Sequence, residues 1–308
     1  MNEDHGGAPG HHHPHPPHDP GGHPRIGFVG AGRVSSALGV AFSRAGWPVA
    51  AICTRDPERE ARFRELVPSA VAVPSIEALA DEVDLIFVTV PDDAVPDVAA
   101  RLRLYAGQAA VHTSGALDSA VLEPARAAGT QLGSFHPMVA FASLEVAVTA
   151  LPQSTIAVEG DEELVALLGR LATDIGAQPV RLPPTGKTAY HAAAVLAGGG
   201  VIGLLDGVAE VARGAGLDEA GALAIYVPLI RQALANAEVL GIGRALTGPF
   251  VRGDVGTVRD HLAAMRRLAP DALEMYRAMA RRELTLAIAR GDLDEDQALP
   301  LRRLLDDG

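Results

Sequence analysis

The sequence predicts an α/β domain built on a doubly wound parallel sheet, followed by an all-helical C-terminal domain. Between Pro24 and about residue 182, short apolar runs alternate with amphipathic stretches of ten or more residues, as parallel strands joined by helical crossovers do. Beyond Thr185 no strand pattern returns. At 308 residues, 48% hydrophobic and 21% charged, the chain is long enough to bury two cores of ordinary globular composition.

Taken in order, residues 25–29 read as the first strand and 33–45 as the first helix. Residues 48–54, 70–73, 85–90, 109–112, 131–135, 155–158 and 180–182 supply the other strands. The clearest helices between them cover 57–66, 93–104 and 161–175. Leu182-Pro183-Pro184 ends the sheet, because proline gives no donor to a ladder. Five helical patterns follow, at 187–215, 218–240, 255–268, 271–289 and 296–305. Asp218, Asp271 and Asp296 stand at helix starts, and Gly216 and Gly241 at stops. The expected division is a tail 1–24, a sheet domain 25–182 and a helical domain 183–308.

The tail holds seven of the 11 histidines among Pro and Gly, with no apolar period to offset ordering, and is expected to be disordered. Its imidazoles could scavenge a transition metal, but a solubilising segment is the plainer reading; no metal site is expected in the body. A formal net charge of −12 without a basic block argues against nucleic-acid or anionic-membrane binding. One cysteine, Cys53, excludes an internal disulfide framework, and with no secretion signal in view the expected compartment is the cytoplasm. The uncharged run 188–205 carries Tyr190, His191 and three successive glycines, and is read as a buried helix rather than a membrane span. Its small residues permit close helix approach, and the apolar surplus of the helical domain suggests a homodimer.

Gly30-Ala31-Gly32-Arg33-Val34-Ser35 follows the first strand and opens the first helix. There Gly30 permits a tight turn and Gly32 lets a pyrophosphate reach the helix N-terminus. Ser35 replaces the usual third Gly or Ala. The second strand ends in Cys53-Thr54-Arg55, where a dinucleotide site selective for NAD would carry an acid. A hydroxyl and a guanidinium suit a 2′-phosphate, so NADP(H) is expected over NAD(H), with Arg33 beside the same phosphate. Val90 and Pro91 end the fourth strand, Thr113 and Ser114 follow the fifth, and His136 closes the sixth. All these lie at carboxyl ends of strands, where open sheets bind ligands.

Of 26 basic residues only one is lysine, Lys187. A lone lysine in an arginine-rich chain points to a need for a compact, titratable ammonium. Tyr190 and His191 lie three and four residues on, on the same helical face. Lys187 is expected to give a proton to a carbonyl oxygen as hydride reaches carbon, with His191 tuning it or relaying protons. Thr185-Gly186-Lys187-Thr188 imitates the end of a phosphate-binding loop, but the first glycine position holds Arg181 and two prolines remove donors, so an ATPase is excluded. Arg252, in the turn Gly248–Asp254, is a candidate clamp for a substrate carboxylate.

These blocks resemble the two-domain family that joins a Rossmann-like domain to a C-terminal domain of unknown function 2520. The resemblance rests on Gly30–Val34, His112-Thr113-Ser114-Gly115, Ser134-Phe135-His136-Pro137-Met138, Lys187 with Tyr190-His191-Ala192-Ala193, and Leu246-Thr247-Gly248-Pro249 with Arg252-Gly253-Asp254. That family is grouped with the 6-phosphogluconate-dehydrogenase-like superfamily of beta-hydroxyacid dehydrogenases, ketopantoate reductases, prephenate dehydrogenases and pyrroline-carboxylate reductases. The resemblance implies NADP-linked hydride transfer and a helical dimer, and Lys187 matches a catalytic lysine of beta-hydroxyacid dehydrogenases. The asparagine usual a turn or more beyond it is replaced by His191, Gly198 or Gly199. The expected function is NADPH-dependent reduction of a small 2-oxo acid, ketopantoate-like, with Thr113, Ser114, His136 and Tyr190 positioning it. An imine or prephenate-type dehydrogenase and a non-catalytic NADP-binding sensor are the alternatives.

Overall fold

A computed structural model describes residues 22–307. Eight strands, β1 (Ile26–Val29), β2 (Val49–Cys53), β3 (Val71–Ala72), β4 (Leu85–Val88), β5 (Ala109–His112), β6 (Gln131–Pro137), β7 (Thr155–Gly160) and β8 (Gln178–Arg181), form one sheet in the order β3-β2-β1-β4-β5-β6-β7-β8. The order reverses beside β1, which opens a crevice at the carboxyl ends of β1 and β4. Strands β1, β4 and β5 are buried along their whole length, which explains why they read as unbroken apolar runs.

Helices cover both faces: α1 (Arg33–Arg44), α2 (Pro57–Leu66), α3 (Ile76–Glu82), α4 (Val95–Arg101), α5 (Leu144–Ala150) and α6 (Glu162–Asp174). One core is a stack of Phe28, Phe42, Phe63, Phe87 and Phe135, with Phe28 and Phe87 centroids 5.5 Å apart. The opposite face packs Ile86, Val88, Leu79 and Leu122. The tail expectation falls outside the described residues except at its end, where His23 stacks on Trp47 at 4.1 Å, so residues 22–24 are not free of the body.

One pairing departs from the expected all-parallel sheet. Strand β7 runs antiparallel to β6, with Ser134 opposite Glu159 and His136 opposite Ala157. The link between them contains only α5, about 10 Å long, and a short helical turn, Leu151–Gln153. Seven-residue helices also serve parallel steps, as α4 does between β4 and β5, so helix length does not set this direction; the chain enters β7 at the end where it left β6.

Contacts divide the chain into two compact units, parting between Ala194 and Val195. The expected boundary at 182 thus falls earlier than the division by contacts, because the first two turns of α7 (Lys187–Ala197) bond to the sheet. The second unit contains α8 (Gly199–Arg213), α9 (Glu219–Leu240), α10 (Ile242–Ala245), α11 (Val255–Leu268), α12 (Leu273–Arg290) and α13 (Glu295–Asp306). Its core packs Phe250, Val258, Leu262, Leu284, Leu301 and Leu305. The single helix expected at 187–215 is broken at Gly198, whose backbone (φ −96°, ψ −80°) interrupts the ladder.

The run 188–205 is also not a buried helix within one chain: Val195, Leu196 and Ile202 are exposed. In α9, 22 residues long, Ala222 alone is buried, while Ile225, Leu229, Leu234 and Val239 face out. By length and composition alone, residues 184–213 (mean hydropathy 1.8) and Glu219–Leu240 (1.2) could cross a membrane.

Candidate functional site

A cleft of about 1490 Å³ lies over the carboxyl ends of β1, β2, β4 and β5. Its floor is the turn from β1 into α1. Gly30 has φ +98°, and a Cβ there would meet the Thr89 carbonyl oxygen at 2.9 Å, so only glycine fits. A Cβ on Gly32 would meet nothing within 4 Å, which leaves the N-terminus of α1 open to the cleft. Ser35 is buried and its hydroxyl donates to the Gly32 carbonyl at 2.9 Å, so the serine at the third fingerprint position helps close the turn. Ala31, Arg33 and Val34 line the cleft with them. Arg33, expected beside a phosphate, donates to the Ala142 carbonyl at 2.8 Å and ties down the loop after β6.

At the end of β2 the cleft is lined by Thr54, Arg55, Arg59 and Arg62. Asp56 is not placed to serve a ribose: its carboxylate caps α2, accepting the Glu58 and Arg59 amides at 3.1 Å each, and pairs with the Arg59 guanidinium at 3.0 Å. Arg59 and Arg62 are missing from the sequence reading. Arg59 and Arg62, three residues apart on α2, share a helical face, and Arg55 stands just before the cap of that helix; this spacing was the available signal. Val90 and Pro91 line the β4 side, and Thr113 and Ser114 the inner end. An anionic pyrophosphate fits this surface: an open helix start, a glycine with room above it and a three-arginine rim.

Behind that inner end is a polar cluster. Ser114 donates from its hydroxyl to Asp92 at 2.8 Å and from its amide to His112 Nδ1 at 3.2 Å. His112 must then carry its proton on Nε2, which donates to the Asp118 carbonyl at 3.0 Å. Burial and the nearby Lys187 ammonium push its pKa down to about 3, so His112 is a neutral structural residue. His136 Nδ1 is 3.3 Å from the Tyr190 hydroxyl, and its ring stands edge-on to His191 with centroids 5.8 Å apart. Burial, with Lys187 and His191 nearby, lowers the His136 pKa to about 4. The two imidazoles converge on Gly115, where a Cβ would lie 2.4 Å from His191 Nδ1 and 2.7 Å from His136 Nε2. His191 Nδ1 is itself buried without a hydrogen-bond partner.

Lys187 is 1% exposed. Its ammonium donates to the Ser134 hydroxyl at 2.8 Å and the Ser114 carbonyl at 3.1 Å, one layer behind the cleft wall. The sequence reading expects this amine to give a proton to a substrate carbonyl; here it is directed to one oxygen of β6 and one of the loop after β5. Burial lowers its pKa to about 8, against the opposing pull of Glu159, Asp118 and Asp92. Thus Ser114, His136, Lys187, Tyr190 and His191 come together in the first unit. Arg252 belongs to the second, exposed in the turn before α11, where Asp254 caps that helix through Thr257. Among the described residues, no group of three or more His, Cys, Asp or Glu could hold a metal ion.

Residues 21–137 match the family model of the Rossmann-like domain, and residues 154–283 that of the domain of unknown function 2520. No curated protein matches the chain. Among solved structures, a candidate NADP oxidoreductase from Bacteroides fragilis is similar over 85% of this chain and 98% of its own, at 21% identity and a TM-score of 0.72. A protein from Thermotoga maritima is similar over 86% and 99% (25% identity, TM-score 0.65). An imine reductase from Pseudomonas sp. is similar over 88% and 99% (17% identity, TM-score 0.65).

Proposed function

For a chain that joins a Rossmann-like domain to a domain of unknown function 2520, we propose an NADPH-dependent reductase of small molecules bearing a polarised C=N or C=O bond. The observation that carries this reading is the cleft itself, with its open α1 N-terminus and its rim of Arg55, Arg59 and Arg62. Gly30, Ala31, Gly32, Arg33 and Val34 cradle the pyrophosphate. Thr54 and the three arginines hold a 2′-phosphate, which makes NADP(H) the cofactor over NAD(H). Val90, Pro91 and Thr113 border the rest of the dinucleotide. When bound, the cofactor supplies hydride, which is chemistry no side chain of this chain provides.

The protein's own residues orient the acceptor and handle the proton. Ser114, held on Asp92, positions the substrate beside the nicotinamide end. Tyr190 is the proton donor, with His136 and His191 beside it. His136 is neutral above about pH 4 and has no imidazolium proton to give, so it orients the Tyr190 hydroxyl, which donates its proton and recovers one from solvent. Lys187 supports this wall from behind.

A C=N substrate leads because the chain's only ammonium is withdrawn from the cleft, and because the solved imine reductase shares this fold. The 2-oxo acid reading, ketopantoate-like, is second: it calls for a cation on the carboxylate, a part for which Arg252 is the candidate. Fluorescence titration with NADPH and NADH, then a panel of cyclic imines and 2-oxo acids followed by loss of reduced-nicotinamide absorbance, tests all three points. Binding without turnover across the panel would favour a sensor.

We further propose a cytoplasmic homodimer. The support is α9, whose exposed Ile225, Leu229 and Leu234 need a cover that a second copy of the same helices would give. Neither nucleic acid nor membrane is assigned as a partner.

A further inference from the structure

We propose that Glu159 is a positioning residue of the site: through the Ser134 hydroxyl it holds Lys187 as an internal ammonium, and that ammonium fixes the Ser114 carbonyl at the inner end of the cleft. Glu159 is 4% exposed, lies on the antiparallel strand β7 and takes no part in lining the cleft. Both its oxygens are engaged. One accepts the Ser119 hydroxyl at 2.6 Å; the other accepts the Ser119 amide at 2.9 Å and the Ser134 hydroxyl at 3.3 Å.

The direction of the chain follows from proton count. An ammonium has only protons to give, so the fully buried Ser134 hydroxyl accepts from Lys187 and must give its own single proton to Glu159. The result is an ordered line from ammonium to hydroxyl to carboxylate, tying α7, β6 and β7 to the helical turn Ser119–Ala125. Its outer end is the Ser114 carbonyl, whose residue is also held through His112 and Asp92.

The groups facing the ammonium are Glu159 on β7, Asp118 ahead of Ser119, Asp92 after β4, and the imidazoles His112 on β5 and His136 on β6. Tyr190 and His191 share its own helix. Of these, Glu159 is the carboxylate reached through one buried hydroxyl. A buried cation deprived of such an anion loses its proton more readily. The inference does not depend on the reductase reading, since it concerns how the wall of the cleft is held.

The composition provides the probe: Lys187 is the only lysine, so full-length protein labelled with 13Cε-lysine gives one side-chain signal to titrate. Wild type should titrate near 8. Glu159→Gln should lower the midpoint by about one unit, roughly a tenfold loss of proton affinity, and Ser134→Ala should move it the same way while Ser134→Thr holds it. A Glu159→Gln midpoint equal to wild type in a folded protein overturns the proposal. Should Glu159→Gln fail to fold, the Ser134→Ala and Ser134→Thr pair decides by the same signal. A wild-type Lys187 that is already a neutral amine at pH 7 overturns it regardless of any variant. Where a substrate is turned over, Glu159→Gln should cut kcat about tenfold and leave KM for NADPH within about twofold. Loss of all turnover by wild type would count against the reductase reading alone, because the titration decides the pairing separately.

Discussion

Replacing Lys187 with methionine, an apolar chain of similar length, should change the pH dependence of stability in a calculable way. The side chain is 1% exposed and its pKa falls from 10.5 to about 8 in the folded state. While charged in both states, the ammonium therefore costs the native state about 3 kcal/mol. Below pH 8 native and unfolded chains both hold the proton, and the full cost applies. Between 8 and 10.5 the unfolded chain holds more protons than the native one, so the unfolding free energy climbs with pH. Above that window the cost is gone. Lys187→Met lacks the group, and its curve should lack the climb. Urea unfolding at closely spaced pH values from 7 to 10.5, compared as the difference between wild type and variant, removes the contribution of the tyrosines and arginines common to both. Parallel curves across the window would refute the lowered pKa of the buried lysine.

Arg55→Ala and Arg62→Ala should each weaken NADPH binding by about tenfold or more and leave NADH nearly unchanged, as calorimetry would read; an unaltered preference would remove the arginine rim from phosphate recognition. Gly30→Val forces a branched side chain into φ +98° and against the Thr89 carbonyl, and should destabilise the fold by about 1–3 kcal/mol in thermal melts while abolishing nucleotide binding. Gly115→Ala drives a methyl into the His136 and His191 rings, so NADPH affinity should survive while turnover drops more than tenfold. Leu229→Glu with Leu234→Glu should convert a dimer to monomers by sedimentation, whereas association with membrane vesicles that is lost in the double variant would place α9 in lipid.

Several parts of the site were legible in the sequence because they depend on local chemistry. The glycine turn at residues 30–32 needs only a strand before it and a helix after it, and both are written in the period of apolar residues. Arg55 is legible for the same reason, since it ends a strand whose neighbour carries that turn. Arg59 and Arg62 are equally local but lie on α2, beyond the strand end at which the dinucleotide fingerprint places its ribose-binding residue. Lys187, Tyr190 and His191 were found from composition and helical spacing, yet the direction of the ammonium was not.

That direction belongs to the tertiary structure. Lys187 meets Ser114 across 73 residues and Ser134 across 53, and those meetings depend on strand order rather than on any nearby pattern. Glu159 reaches Ser134 because β7 runs antiparallel to β6 and sets the two residues opposite each other, a pairing that apolar periodicity cannot express. His112 looked equivalent to His136 as a strand-end histidine, but its two nitrogens are consumed by backbone groups of the same loop, and only the folded loop shows it. Sequence alone determined which segments become strands and helices and where a phosphate is received, because those depend on side-chain period and backbone freedom. The fold alone decided which polar groups face the cleft and which neutralise each other behind it, because burial and pairing depend on distances that the chain sets only after it has closed.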